Sequence, residues 1–170
     1  MFTRILVPTD FSGPSDSALD YARTLALKFG ASLHLLHVLE SPVATGPFPA
    51  EMYLTDMPGV QMALMKDAQE RLTHRVRPSD RAHYAATSEV IIGRSAQVIV
   101  SCAAERKIDL IVMGTHGRTG LAHMLMGSVA EHVVRTAPCP VLTVRETPVT
   151  QKEPAGVTAA TVPVTAGGSA

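Results

Sequence analysis

The sequence lacks several features that would place it in a common functional class. Lys and Arg balance Asp and Glu at 15 each, so bulk charge recruits neither nucleic acid nor an anionic membrane. No apolar run approaches the roughly 20 residues of a membrane-spanning helix, and the first residues do not have a signal-peptide layout. The two cysteines, Cys102 and Cys139, form no C-x-x-C motif. The chain is therefore expected to be cytoplasmic, with two reduced thiols and no membrane insertion.

Motifs of several enzyme classes are also missing. No G-x-x-x-x-G-K-[ST] supplies a lysine to phosphates, no G-x-S-x-G presents a nucleophilic serine, and no G-x-G-x-x-G follows the first strand pattern. His, Cys and carboxylate residues show no metal-ligand spacing such as H-x-x-x-H. These absences disfavour a dedicated enzyme or metalloprotein.

Short apolar runs alternate with helical patterns along most of the chain. Strands are predicted at residues 4–7, 32–38, 83–92, 110–113 and 141–144. Helices are predicted between a Ser12 cap and Gly30, over residues 60–76, after a Ser95 cap, and around residues 129–134. This alternation predicts an α/β fold: an open, doubly wound, Rossmann-like sheet of five parallel strands with helices on both faces.

Two segments differ from this pattern. Residues 40–59 contain four prolines and no clear period, which is typical of lids, binding loops and disordered connections. Beyond Arg145 the composition changes to Thr, Pro, Ala, Gly and Val without a period, which predicts a flexible tail. The predicted organisation is one domain over residues 1–145 followed by a tail over residues 146–170.

The segment from Asp109 to Val144 carries the clearest functional signal. Its apolar run ends at Gly114, a loop containing Gly117 follows, and Gly127-Ser128 begins a helical pattern. Glycines let backbone approach a ligand closely, and unpaired amides at a helix N-terminus favour an anion. A structural turn followed by an N-capped helix would explain the same spacing about equally well.

Topology gives a second argument for the same place. In a sheet of order 3-2-1-4-5 the order reverses between strands one and four, and ligands bind at the carboxyl ends of such strands. Those strands end at Pro8-Thr9-Asp10 and Met113-Gly114. Asp10 is a candidate binding residue, although an Asp after a strand often only caps a turn. His116 and His123 could contact phosphate, but solvated loop histidines are more common.

The spacing G-x2-G-x9-G-S, formed by Gly114, Gly117, Gly127 and Ser128, resembles the nucleotide-binding signature of the universal stress protein family. The likeness covers residues 3–145 and includes the segments ILVPTDFS, LLHV and APCPVLTVR. It implies an ATP site, with Mg²⁺ on the phosphates as an option that the sequence leaves open.

The resemblance also implies roles for single positions. The glycines, Arg118, Ser128 and Val129 would contact phosphates, Asp10 would lie near the ribose, and Val38 would read adenine through its backbone. The implied nucleotide site consists of Pro8, Thr9, Asp10, Val38, Met113, Gly114, Gly117, Arg118, Gly127, Ser128 and Val129.

The function that the resemblance implies is a nucleotide-dependent stress-response sensor or regulator acting as a homodimer. The apolar strand at residues 141–144 would lie at the sheet edge and could pair with its copy. Two alternatives remain open. One is a slow Mg²⁺-dependent ATPase in which Asp10 or His116 activates water; the other is a nucleotide-free dimeric module that regulates a transporter or kinase partner.

Overall fold

The structure, a computed structural model, describes residues 2–40, 57–117 and 126–145. The described strands are β1 (Arg4–Pro8), β2 (Ser32–Leu39), β3 (Thr87–Ile92), β4 (Leu110–Gly114) and β5 (Val141–Val144). The described helices are α1 (Gly13–Phe29), α2 (Met57–Arg75), α3 (Pro78–Tyr84), α4 (Ser95–Glu105) and α5 (Ser128–Thr136). The predicted tail and residues 41–56 of the predicted long connection lie outside the described residues.

The five strands form one parallel sheet in the order β3-β2-β1-β4-β5, which confirms the predicted fold and strand order. Ile5 of β1 is in register with Leu33 of β2 on one side and with Leu110 of β4 on the other. The strand order reverses between β1 and β4, so the connections that follow these two strands leave toward opposite sides. A crevice is therefore expected where both strands end.

Helices cover both faces of the sheet because successive strand residues point to opposite sides. On one face Ile5, Val7 and Leu35 pack against α1 and α2, through residues such as Ala22 and Leu72. On the other face the strands pack against α4 and α5 in a second cluster: Leu6, Leu36, Ile111, Met113, Ile99, Cys102, Ala103, Ala130 and Val133. Both sheet faces are thus buried, as the near-continuous apolar strands predict.

The first helix follows the predicted signals closely. Ser12 is the N-cap, and its hydroxyl accepts from the Ser15 amide at 3.5 Å. Pro14 lies in the first turn, where a missing amide costs nothing, and Gly30 ends the helix in the left-handed region at φ 66°. These local signals fix where the chain enters and leaves α1, and so where β1 ends.

The prediction of a third strand over residues 83–92 is wrong at its beginning. Residues Pro78–Tyr84 form α3 instead, and β3 begins only at Thr87. Pro78 lies in the first turn, while the Asp80 carboxylate accepts from the Arg77 amide at 3.0 Å. Ala85 then ends the helix in the left-handed region at φ 46°. A seven-residue helix shows too few turns for a clear apolar period, which is why the sequence pattern did not reveal it.

Two predicted helix starts also need correction. The helix predicted from Val60 begins at Met57, inside the stretch of residues 40–59 that is expected to be a long connection. Ser95 is the first residue of α4 rather than its cap, because Arg94 takes the cap position without a side-chain hydrogen bond. In the three described ranges, no helix combines the length and the apolar character that crossing a membrane requires.

Candidate functional site

A cavity of about 460 Å³ lies at the carboxyl ends of the central strands, where the strand order reverses. Its volume is within the usual range for small-molecule sites. The described residues that line it are Pro8, Thr9, Asp10, Ser15, Leu36, His37, Val38, Leu39, Glu40, Ser95, Ile99, Met113, Gly114, Thr115, His116, Gly117, Gly127, Ser128, Val129 and Ala130. They come from the ends of β1, β2 and β4 and from the first turns of α1, α4 and α5.

The turn after β1 is held together by its own side chains. The Thr9 hydroxyl accepts from the Phe11 amide at 3.0 Å and shares a hydrogen bond with the Ser15 hydroxyl, also at 3.0 Å. Asp10 accepts from both the amide and the hydroxyl of Ser12. Asp10 therefore does cap a turn, as the simpler interpretation expects, and it lines the cavity at the same time.

Phe11 anchors this turn through its contacts with His37 and Arg71. It has φ 67°, an unfavourable left-handed conformation for a bulky residue. Its ring stacks on His37 with a centroid distance of 4.4 Å, and the Arg71 guanidinium lies 4.0 Å from the ring centroid. His37 in turn donates from Nδ1 to the Thr9 carbonyl at 2.7 Å. These contacts stabilise a backbone conformation that would otherwise be strained.

The loop after β4 approaches the turn after β1 closely at two glycines. A Cβ placed on Gly114 would lie 3.0 Å from the backbone carbon and the Cβ of Pro14. A Cβ on Gly117 would lie 2.7 Å from the Asp10 carboxylate. The predicted glycines thus serve first to let these two turns pack together, which places Asp10 against the glycine loop.

The first turn of α5 forms the opposite wall. Gly127 is the N-cap, with no side-chain hydrogen bond at the cap position, and Ser128 is the first helical residue rather than the cap. The Gly127 amide donates to the Thr115 carbonyl at 2.8 Å, and the Glu131 amide donates to the Gly127 carbonyl at 2.9 Å. The cap residue thus offers no side-chain acceptor to the first-turn amides, and the residues of this turn line the cavity.

The end of β2 closes the cavity on its third side. Val38, Leu39 and Glu40 line it together with Ser95 and Ile99 of α4. The Glu40 carboxylate accepts from the Ser95 hydroxyl at 2.7 Å and from the Ser95 amide at 3.3 Å. The carboxylate of the residue after β2 therefore accepts from the first amide of α4, where the helix dipole favours negative charge.

The structure brings together all the predicted site residues that it describes, since each of them lines this cavity. Arg118 and His123 lie outside the described residues. His116 also lines the cavity, and its Nδ1 is 3.0 Å from the Thr115 hydroxyl. Sequence reasoning missed Glu40 and Ser95, because their contact depends on how β2 and α4 align, which no local pattern encodes.

The charges around the cavity are uneven. Asp10 and Glu40 contribute two carboxylates, and none of the described lining residues is a lysine or an arginine. An anionic ligand would therefore be held in this part of the site by backbone amides, hydroxyl groups and the dipole of α5 rather than by cationic side chains. The carboxylates favour hydroxyl or amine donors on the same ligand.

Comparisons with known proteins agree with this geometry. Residues 1–145 match the sequence model of the Universal stress protein family. Universal stress protein MJ0531 of Methanocaldococcus jannaschii is 35% identical over 147 residues, which cover 86% of this chain and 84% of that protein. The solved structure of MJ0577, from the same organism, is similar with a TM-score of 0.76 and 26% identity, covering 87% of this chain and 99% of that one. A universal stress protein solved in complex with cAMP is similar with a TM-score of 0.55 and 26% identity, covering 86% and 98%.

Proposed function

The chain belongs to the universal stress protein family, and from that premise we propose that it binds ATP in the cavity between β1 and β4. The bound nucleotide would set the state of a cytoplasmic, homodimeric regulator of a stress response. The similar protein that was solved with cAMP supports an adenine nucleotide as the ligand class. The choice of ATP rests on the glycine signature, whose last two residues lie at the start of α5.

One observation carries the proposal more than any other. The glycine-capped first turn of α5 and the Gly114–Gly117 loop line the same cavity, at the switch point of the sheet. Main-chain amides at a helix N-terminus are donors that suit phosphate oxygens, and the dipole favours their negative charge. Ser128 would add a hydroxyl donor, and Arg118 would add a cation from the loop.

The two carboxylates and the end of β2 supply the other half of the proposed site. Asp10 would accept from the ribose hydroxyls, while its position against Gly117 fixes the distance to the phosphate loop. The backbone of Val38 would pair with the adenine edge, and Leu39 and Ile99 would pack near the base. The ligand would thus span the cavity from β2 to α5.

Native mass spectrometry of freshly purified full-length protein tests this proposal directly. A co-purified mass equal to that of ATP is expected, and millimolar ATP with and without Mg²⁺ should raise the melting temperature, because ligand that binds only the native state stabilises it. AMP and cAMP, measured in parallel, identify which phosphates matter. Absence of any bound nucleotide together with no thermal shift for all three ligands would contradict the proposal.

The homodimer would form through β5. This strand is at one edge of the sheet, and Leu142 on it is 39% exposed. An edge strand presents unpaired backbone groups and, here, an apolar side chain to a second copy. Pairing of the two β5 strands would cover both, and would place the two nucleotide sites in one assembly.

A further inference from the structure

A second group of polar side chains lies inside the sheet–helix interface, away from the nucleotide cavity. His34 of β2, Glu89 of β3 and Cys102 of α4 bring one ligand atom each to within 4.8 Å of one another. His34 is 8% exposed and Cys102 is 3% exposed. α4 connects the two places: Ser95 and Ile99 line the cavity, and Cys102 lies about 10 Å from Ser95 along the helix axis.

The contacts within this cluster centre on one carboxylate oxygen. Oε1 of Glu89 is 2.7 Å from Nε2 of His34, 3.7 Å from Sγ of Cys102 and 3.1 Å from Nε of Arg106. Oε2 of Glu89 accepts separately from Nη2 of Arg106. One of the two carboxylate oxygens can therefore change partners while the other keeps the arginine.

The charges in the cluster follow from burial and hydrogen bonding. Burial raises the pKa of Glu89, but hydrogen bonds from His34 and Arg106 outweigh it and hold the pKa below its usual value, so the carboxylate is charged. Burial lowers the pKa of His34 and raises that of Cys102 to about 11, so both are neutral at pH 7. Nε2 of His34 then donates to Glu89, and Nδ1 accepts from the Thr87 hydroxyl at 2.7 Å.

We propose that His34, Glu89 and Cys102 form a binding site for a single zinc ion, with a fourth position open to solvent beside Arg106. Imidazole nitrogen, carboxylate oxygen and thiolate sulfur are the three ligand types that zinc takes in proteins, and three protein ligands with one open position is a known arrangement. The ligands come from three elements packed in one core, so they are held near each other before an ion arrives.

Zinc binding requires the three ligand atoms, which lie within 4.8 Å of one another, to rearrange, and His34 and Cys102 must approach each other. Tetrahedral zinc with ordinary bond lengths separates a nitrogen and an oxygen ligand by about 3.3 Å and a sulfur from either of them by about 3.6 Å. The distance from His34 Nε2 to Glu89 Oε1 must therefore open from 2.7 Å, whereas that from Cys102 Sγ to Glu89 Oε1 already fits at 3.7 Å. Glu89 can shift because its side chain is 26% exposed, whereas the approach of His34 to Cys102 takes place between two buried side chains.

One proton is released to the buffer when the ion binds, and the histidine changes tautomer by exchange with solvent. The ion binds Nε2 of His34, whose proton is replaced by one on Nδ1, so the imidazole stays neutral. The Cys102 thiol loses its proton to the buffer and binds as thiolate. The Thr87 hydroxyl, which donates to Nδ1 in the free protein, then accepts from it, and a hydroxyl serves both roles. Thr87 is thus a positioning residue for the histidine ligand.

Cobalt titration of the metal-stripped full-length protein tests the site, because Co²⁺ occupies zinc sites and reports a thiolate ligand by a charge-transfer absorption. The band is expected to saturate at one equivalent and to disappear when Zn²⁺ is added. Cys102→Ser should remove it, whereas Cys139→Ser, which changes the other cysteine, should keep it unchanged. Absence of the band from the unaltered protein, or its persistence in Cys102→Ser, overturns the proposal.

Zinc affinities measured by calorimetry test the other two ligands. His34→Gln and Glu89→Gln should each weaken binding at least tenfold, while His132→Gln, at an exposed position of α5, should not. Arg106→Gln should bind zinc more tightly, because Oε1 of Glu89 loses a competing donor and a positive charge is removed beside the ion. Weakened binding in Arg106→Gln, or equal losses in His34→Gln and His132→Gln, contradicts the site, and circular dichroism of each variant shows that it is folded.

Discussion

Among single residues, the buried carboxylate of Asp80 is compensated by hydrogen bonds from Arg23 and Arg77. Asp80 has a side chain that is 5% exposed and accepts from Nη2 of Arg23 at 2.8 Å and from the Arg77 amide at 3.0 Å. Nη2 of Arg23 also donates to the Arg75 carbonyl at the end of α2. One guanidinium therefore joins α1, α2 and α3, and it compensates a carboxylate that water does not reach.

Removing this guanidinium should be costly. Arg23→Met leaves Asp80 buried with only the Arg77 amide, and the free energy of unfolding should fall by about 3 kcal/mol, at the lower end for a broken buried pair. Urea denaturation at pH 7 measures the change. Lys66→Met is the matched control, because the partner of Lys66 is 4.0 Å away and both side chains are exposed, so its effect should stay below about 0.5 kcal/mol. Equal losses in the two variants would show that Asp80 does not depend on Arg23.

Asp109 provides a pH-dependent contribution. Its Oδ2 accepts from the amide of Thr3 at 2.8 Å, from the Thr3 hydroxyl and from the amide of Arg4 at 2.9 Å. The side-chain and backbone hydrogen bonds from Thr3 lower the pKa of Asp109. These bonds tie the start of β1 to the start of β4, at the end of the sheet away from the cavity.

When folding lowers the pKa of a carboxyl group, that group stabilises the native state at pH values above its pKa in the unfolded chain. This stabilisation is lost as the pH falls through the pKa of the folded state. Asp109→Asn should therefore reduce the free energy of unfolding at pH 7 by about 0.5–1 kcal/mol, a value discounted for solvent screening. The difference from the unaltered protein should shrink below about pH 4. Denaturation curves between pH 3 and pH 7 check this, and a difference that is constant across the range would contradict the role given to the charge.

At the scale of elements, the strand-to-helix turns decide where the site forms. Gly114 ends β4 against the first turn of α1, and a Cβ on Gly114 would face Pro14. Gly114→Ala should lower the free energy of unfolding by about 1–3 kcal/mol, because the added methyl group meets backbone atoms that cannot move aside. Urea midpoints measure the effect. Gly59 in α2 has open space where a Cβ would lie, so Gly59→Ala is the control and should stabilise the protein slightly, since alanine favours helix. A loss of stability in both variants would mean that the contact at Gly114 is not the cause.

The helix and strand boundaries show how much of the fold the sequence could predict. Ser12, Pro14 and Gly30 are local signals that act within a few residues, so the ends of α1 followed from them. α3 was missed because it is too short to show an apolar period, and because its buried Asp80 pairs with Arg23, which is distant in the sequence. The misplaced start of β3 has the same origin. Local chemistry predicts elements that stabilise themselves, and it does not reveal elements that depend on a tertiary partner.

At the scale of the whole molecule, alternation of strands and helices was enough to predict the sheet and the location of the cavity. Contacts that depend on register between elements were not predictable. Glu40 meets Ser95 only because the end of β2 lies beside the start of α4. His34 and Glu89 meet only because His34 pairs with Thr87, which places Glu89 two residues further along β3. The fold therefore brings His34, Glu89 and Cys102 together although they are far apart in the sequence.

The proposed assembly predicts a specific sensitivity to charge at β5. Leu142→Asp should convert the homodimer to a monomer, because two carboxylates would face each other across the paired edge strands. Sedimentation velocity at micromolar concentration measures the change. Leu27→Asp is the matched control: Leu27 is 69% exposed on α1 and is not part of the edge strand, and its variant should remain dimeric. A monomer in the unaltered protein, or equal dissociation of both variants, would contradict dimerisation through β5.

We propose that the first turn of α5 holds the ATP phosphates, and calorimetry on a Gly127→Val, Ser128→Ala double variant tests this. A Cβ on Gly127 would be 3.4 Å from the Thr115 carbonyl, an ordinary contact, and melting curves in the absence of nucleotide show whether the double variant is as stable as the unaltered protein. The branched side chain would shield the first-turn amides, and ATP affinity should fall by at least about tenfold. Gly59→Ala should bind ATP like the unaltered protein. Equal ATP affinity in the double variant and the unaltered protein would contradict the claim.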